Sequence, residues 1–288
     1  MIFCIKIRSF ANLCKGLELM KDKRILYVSS EVVPYLPETE IASTAFNVAK
    51  KAHGNGIQTR IFMPRFGVIN ERRHQLHEVI RLSGMNLIIN DMDMPLIIKV
   101  ASIPKERMQV YFIDNDEYFK RKAVFTDEDD QLFSDNDERA IFFAKGVIET
   151  VKKLNWAPDI IHVHGWMASL LPLYLKEYYG EEPLFAESKI VTSVYDNGFE
   201  GALNKELLDK LKFDKLDESI ISSLETPSYP NIIKCAIDNS DAIVQGSDSL
   251  PEELQDYISG SSTHQLSFQH EDSFDPYLNF YKELISQE

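Results

Sequence analysis

The chain has 288 residues, 44% of them apolar and 26% charged, and a formal net charge of −14. That length and apolar share suffice for one large domain or two small ones, and no apolar run approaches the roughly 18 residues that a membrane-spanning helix needs. The acidic balance excludes nucleic acid as the main partner, because phosphate neutralisation needs a basic face, and leaves a neutral polymer such as a polysaccharide open.

Residues 1–22 mix apolar and basic side chains, but Lys6 and Arg8 interrupt what would have to be a signal's apolar core. The segment reads as an upstream extension outside the fold or as a disputed start, with Met20 a second candidate initiator. A membrane-surface helix is the alternative. Cys4, Cys14 and Cys235 are odd in number and lack metal-ligand spacing, which fits a reduced, cytoplasmic setting.

Arg24–Ser30 is a β-branched, apolar run suited to a strand buried on both faces of a parallel sheet. Helical spacing follows from Ile41 to His53 and stops at His53-Gly-Asn-Gly56, and Gln58–Pro64 predicts the next strand. Strand, helix and strand in this order make one right-handed crossover unit. In sheets of such units, ligands sit beyond the carboxyl ends of the strands, against helix N-termini. The loop Glu31–Glu40 is therefore the expected site.

After a polar loop, Arg65–His77, the β-rich runs Glu78–Asn90, Pro95–Ile103 and Gln109–Ile113 predict an antiparallel edge, with breaks at Gly84, Met92-Asp93-Met94 and Pro104-Lys105. Asp114–Asp137 reads as an acidic surface excursion pinned by Phe119, Phe125 and Phe133. A long helix then runs from Asp137 or Glu138 to Leu154, capped by Ser134 or Asp135. Strand Ile160–Val163, helix Trp166–Tyr178, strand Lys189–Val194, loop Asp196–Gly201 and a polar helix Ala202–Phe213 follow. Helix Tyr229–Asn239 precedes a last strand, Asp241–Gln245, and Ser247 or Asp248 is expected to cap a helix near Pro251. Ser259-Gly-Ser-Ser262 reads as a linker and Pro276–Ile285 as a terminal helix. The pattern is α/β: a single Rossmann-like, doubly wound, mostly parallel sheet with helices on both faces and an antiparallel edge. The expected division is 1–22 extension, 23–258 domain, and 259–288 linker and terminal helix.

Three stretches carry a family likeness: Ile25-Leu-Tyr-Val-Ser-Ser-Glu-Val-Val-Pro-Tyr35, Pro158-Asp-Ile-Ile-His-Val-His-Gly-Trp166, and Asp241-Ala-Ile-Val-Gln-Gly-Ser247 with Glu252 and Glu253 after it. In that order they resemble bacterial glycogen synthase and plant starch synthase, over roughly Arg24 to Tyr257. The resemblance implies the N-terminal, acceptor-side half of a two-domain GT-B glycosyltransferase, which moves glucose from ADP-glucose or UDP-glucose to an α-1,4-glucan. A second, donor domain is expected to be lacking, since few residues follow Tyr257.

The chain departs from that family at its working loops. Where the family has Lys-X-Gly-Gly-Leu-Ala-Asp around the diphosphate, this sequence has Pro37, Glu38, Thr39, Glu40, Ile41, Ala42 and Ser43. Glu38 and Glu40 should oppose a diphosphate and serve instead at the helix N-terminus. Gly165 replaces an aspartate, and Tyr195 replaces the histidine that contacts the transferred sugar, while Phe199 and Gly201 persist. His162 and His164 share one strand face, a spacing that could serve a metal, but no third ligand is in view and no metal or cofactor is expected. His164 is expected to pack at the strand's carboxyl end, facing the cleft. Asp196 and Glu200 read as solvated loop acids rather than a hydrolytic pair. The candidate substrate-binding residues are Glu31, Glu38, Thr39, Glu40, His164, Tyr195, Asp196, Glu200 and Ser247. The expected function is a glucan-binding or accessory role with the chain's own transferase activity lost or reduced. The rivals are a working glucosyltransferase completed by a separate donor-domain chain, and an interaction scaffold such as a homodimer.

Overall fold

A computed structural model describes residues 20–270 and 274–286. The expected extension therefore lies outside the described residues as far as residue 19, as do Cys4 and Cys14, while Met20 is already buried against the core. The strands are β1 (Arg24–Ser29), β2 (Gln58–Pro64), β3 (His77–Glu78), β4 (Met85–Ile89), β5 (Met92–Ser102), β6 (Gln109–Asp114), β7 (Ile160–His164), β8 (Lys189–Val194), β9 (Ala242–Gln245) and β10 (His264–Leu266). They form one sheet in the order β10-β9-β8-β7-β1-β2-β6-β5-β3, with β4 attached to β5. Pairing is parallel from β10 to β6 and antiparallel beyond it. The chain reverses direction of growth between β1 and β7, whose registers place Ser29 beside His164. That crevice is where an open α/β sheet takes its ligands.

Helix α1 (Glu40–Gly54) buries Ile41, Ala45, Val48, Ala49 and Ala52, the face its apolar spacing predicts. Its cap is Thr39, whose Oγ1 accepts from the Ala42 N–H at 3.0 Å. The glutamates expected to serve that end make other bonds, described below. Helix α2 (Asn136–Leu154) is buried over most of its length. Asp135 stands at its N-cap but makes no capping bond, because its carboxylate is paired with Arg121.

Several local expectations change. The hairpin between β4 and β5 turns at Asn90-Asp91 rather than at Met92–Met94, since both residues hold positive φ (45° and 64°), the two-residue turn that Asn and Asp favour. The helix expected over Trp166–Tyr178 breaks into a 3₁₀ turn at Trp166–Ala168, an α turn at Leu171–Leu173 and a π turn at Tyr174–Tyr178. Pro172 has no N–H to continue a regular ladder there. Only α3 (Leu207–Phe213) of the expected polar helix forms, because Asn204 Oδ1 takes the Glu206 N–H instead. Helix α4 (Tyr229–Asp238) is as expected, and α5 (Glu252–Gly260) starts behind Pro251, with neither Ser247 nor Asp248 capping it.

The segment read as linker and terminal helix is built into the fold. Gly260 ends α5, β10 adds a parallel strand beside β9, and α6 (Asp275–Ile285) buries Tyr277, Phe280, Tyr281 and Leu284. Tyr281 OH lies 2.5 Å from His162 Nδ1 on the central strand β7. No helix among the described residues is long and apolar enough to cross a membrane.

Candidate functional site

The loop after β1 and the ends of β7, β8 and β9 converge at the crevice. Ser30 closes its floor: its N–H and hydroxyl both donate to the His164 carbonyl, at 2.9 and 3.3 Å. Gly165 holds φ of 79°, and a Cβ there would come within 2.3 Å of Ser30 Oγ. An aspartate at this position would need both a strained backbone and a displaced Ser30, which accounts for the glycine in physical terms.

Above that floor the carboxylates of the loop are occupied by neighbouring side chains. Glu31 Oε2 accepts from the Thr39 hydroxyl at 2.6 Å, and burial raises the Glu31 pKa despite that bond. Glu38 Oε1 accepts from Ser43 at 3.3 Å. Glu40 accepts from Ser247, whose Oγ also receives the Asp196 N–H at 3.1 Å. Ser247 thus ties α1 to the loops after β8 and β9 instead of capping α5, and it is itself buried. Glu31, Glu38, Thr39, Glu40, Asp196 and Ser247 are therefore brought together around the first turn of α1.

Tyr195 and His164 sit beneath this layer rather than in it. Both are buried, and the Tyr195 hydroxyl is 2.7 Å from His164 Nδ1. Burial alone carries the His164 pKa down to about 3. It also pushes Tyr195 well above its usual value, helped by Tyr277. His164 is packed and hydrogen-bonded at the carboxyl end of β7 as expected, but its ring has no solvent exposure and so offers nothing to the cleft. Gly246 makes room for the tyrosine: a Cβ there would lie 2.5 to 2.8 Å from ring atoms of Tyr195. Gly246→Ala is expected to cost about 1–3 kcal/mol by overpacking, and adding the smaller Tyr195→His to relieve most of it. Urea unfolding of both single variants and the double variant measures that coupling.

His162 and His164 stand with ring centroids 4.0 Å apart. His162 is hydrogen-bonded at both nitrogens, to Tyr281 and to Ser193 at 2.8 Å. Among the described residues no group of three or more His, Cys, Asp or Glu is placed to hold a metal.

Glu200 lies apart from the crevice cluster, in an open groove of about 720 Å³. Phe125, Trp166 and Phe199 line it together with Asp130, Gln131 and Glu200. The rings run in series, Phe125 to Trp166 at 4.7 Å and Trp166 to Phe199 at 5.0 Å between centroids. Flat aromatic faces beside carboxylate and amide groups suit a pyranose, which offers an apolar C–H face and a rim of hydroxyls. Sequence reasoning placed Phe125 only as an anchor of a surface excursion and Trp166 only within a motif. Their aromatic character was the available signal, but nothing in their spacing showed that two distant segments meet.

Residues 24–267 match the family model described as the starch synthase catalytic domain. Glycogen synthases of Chlorobium luteolum and Chlorobium limicola are 34% and 35% identical, each over 85% of this chain and 50% of the relative. The chain spans about half the length of the curated relatives it matches. Among solved structures it is similar to the catalytic domain of starch synthase IV from Arabidopsis thaliana bound to ADP and acarbose, with a TM-score of 0.69. That likeness has 15% identity and covers 87% of this chain and 52% of the other. It places the fold as the N-terminal half of a GT-B glycosyltransferase.

Proposed function

We propose, from the premise that this chain belongs to the starch synthase catalytic-domain family, that it is a glucan-binding, acceptor-side module of cytoplasmic glycogen metabolism whose own glucosyl transfer is lost or much reduced. The observation that carries this reading is the state of the α1 N-terminus. Thr39 Oγ1 takes the Ala42 N–H, and Glu31, Glu38 and Glu40 surround the same turn. A helix N-terminus attracts a diphosphate when its N–H groups are bare and its neighbours cationic. Here a phosphate oxygen about 4 Å from one carboxylate would be repelled by about 4 kcal/mol at an effective dielectric near 20. Tyr195 supports the same reading, because its hydroxyl is committed to His164 below the surface and so is turned from any sugar in the crevice.

The aromatic groove supplies the retained activity in this reading. The half-buried rings of Phe125 and Phe199 provide the stacking platform over a buried Trp166, with Asp130, Gln131 and Glu200 receiving or donating hydrogen bonds to sugar hydroxyls. Calorimetry tests both halves at once. Maltotriose is expected to bind the chain and Phe199→Ala to abolish that binding, while ADP-glucose and UDP-glucose give no micromolar affinity. Micromolar binding of either nucleotide sugar, or incorporation of labelled glucose into glycogen by this chain alone, would overturn the proposal.

A further inference from the structure

We infer that the foot of the central strands, at the end of the sheet opposite the crevice, holds a binding site for a phosphate group, built around Arg60. It stands apart from the glucan-binding reading of the aromatic groove. Arg24 opens β1 and Arg60 lies in β2. Leu26 pairs with Arg60, so Arg24, two residues before Leu26, belongs to the same face of the sheet. Gln109, the first residue of β6, belongs there too, one place before the Ile61–Val110 pair.

Arg81 joins them from the turn that follows β3. Lys153, in the last turn of α2, donates to the Leu82 and Ser83 carbonyls, both at 3.5 Å, which seats that turn against the helix end. Trp156, just past the helix, is buried, and the Arg60 guanidinium lies 4.6 Å from its ring centroid and 5.6 Å from that of Tyr111. A guanidinium stacked on aromatic faces keeps its fork in a fixed plane, so it loses little freedom on gripping an oxyanion. Gln109 Oε1 accepts from the Tyr111 hydroxyl at 3.1 Å, which leaves the amide N–H groups of Gln109 to donate.

The charges of this foot are unbalanced. Among the described residues none of the three guanidinium groups has an ion-pair or hydrogen-bond partner. Asp159, beside Arg24, is taken up by Lys23 Nζ and by the Arg24 N–H, both at 2.8 Å. Burial lowers the Arg60 pKa, Tyr111 offsets part of that, and Arg24 and Arg81 lower it further, so both charges lie within electrostatic reach of it. Three cations gathered in this way repel one another, in a chain whose net charge is −14, and a bound anion relieves that repulsion. A phosphate group suits the place because it is compact and multiply charged, and its oxygens accept from several forks at once. An acidic peptide would instead extend over the neighbouring surface of a strongly acidic chain.

Calorimetry on the full chain at low salt, with inorganic phosphate and glycerol 1-phosphate as probes, tests the site. Saturable binding of both is expected, weakened about tenfold by Arg60→Gln and by Arg81→Gln, and weakened also by added sodium chloride. Arg81 is exposed, so its substitution keeps the test intact even if the Arg60 variant folds poorly. Lys205→Gln removes an exposed cation near the start of α2, at the far end of that helix, and should leave binding unchanged. Equal affinity for the two probes would support a site that reads the phosphate group alone, and tighter binding of the ester a site for an organic phosphate. No saturable binding of either probe, or equal weakening by all three variants, would overturn the inference. Binding of a polyglutamate peptide with no affinity for either phosphate would overturn it as well.

Discussion

Lowering the pH from 7 to 5 is expected to strip about 4 kcal/mol from the stability of this fold. The cause is a pair of fully buried imidazoles on the central strand. Burial, and then the proximity of His164, hold His162 well below its usual pKa, and burial carries His164 to about 3. In the unfolded chain both titrate near 6.5. As pH falls below that value the unfolded state takes up two protons that the folded state refuses, so the native form loses about 1.4 kcal/mol per pH unit for each ring. The window opens near pH 6.5 and, for His164, closes only near pH 3. Burial raises the pKa of Glu31 and Asp137, which act in the opposite sense and regain stability as they protonate. Comparison with His164→Gln isolates the imidazole contribution. Urea unfolding at pH 7, 6 and 5 should give a slope against pH about half as steep in the variant. Equal slopes would mean that His164 is protonated in the native fold.

Lys210→Met is expected to destabilise by about 3–5 kcal/mol, the usual consequence of removing one member of a buried ion pair. Lys210 Nζ lies 2.7 Å from Asp137 and 2.8 Å from Glu138, and Asp137 has no solvent exposure at all. The contact fastens α3 to the first turn of α2. Without the ammonium two carboxylates remain, one with no water to turn to. Adding Asp137→Leu to the variant should restore much of the loss, because two apolar side chains in place of a charged pair are often tolerated. Lys234→Met is the control: its partner Glu253 is 56% exposed, and such pairs contribute about 0–1 kcal/mol. The shift in urea midpoint of the three variants orders them. A loss for Lys210→Met no larger than that of the control would show that the buried network adds little.

The parallel half of the sheet was legible because each strand is a short apolar run followed by helical spacing, and that alternation survives any detail of packing. The hairpin edge was legible in kind but misplaced by two residues, since Met92–Met94 looks like a break and Asn90-Asp91 looks like a strand end. The difference lies in backbone torsion, which composition reports only weakly. The β10 strand was missed because it has three residues and no apolar alternation, and it exists only because β9 offers an unpaired edge. At the site, the substitutions around Pro37–Ser43 were visible, but their use was not. A glutamate before a helix looks like a cap, whereas here Thr39 caps and Glu40 reaches across more than two hundred residues of chain to Ser247. Partners that distant in sequence leave no periodic trace. For the same reason Tyr195 could be recognised as a replacement, while the glycine at 246 that admits its ring could not.

The tyrosine that reaches His162 belongs to the last helix, although the histidine it meets lies on one of the most central strands. During synthesis, β1, β2 and β7 leave the ribosome long before residue 281, so the imidazole at the heart of the sheet waits for its hydroxyl while the rest of the layer assembles. Until α6 is made, that ring nitrogen lacks the hydroxyl it pairs with, so completion of the interior waits on a segment far along the chain.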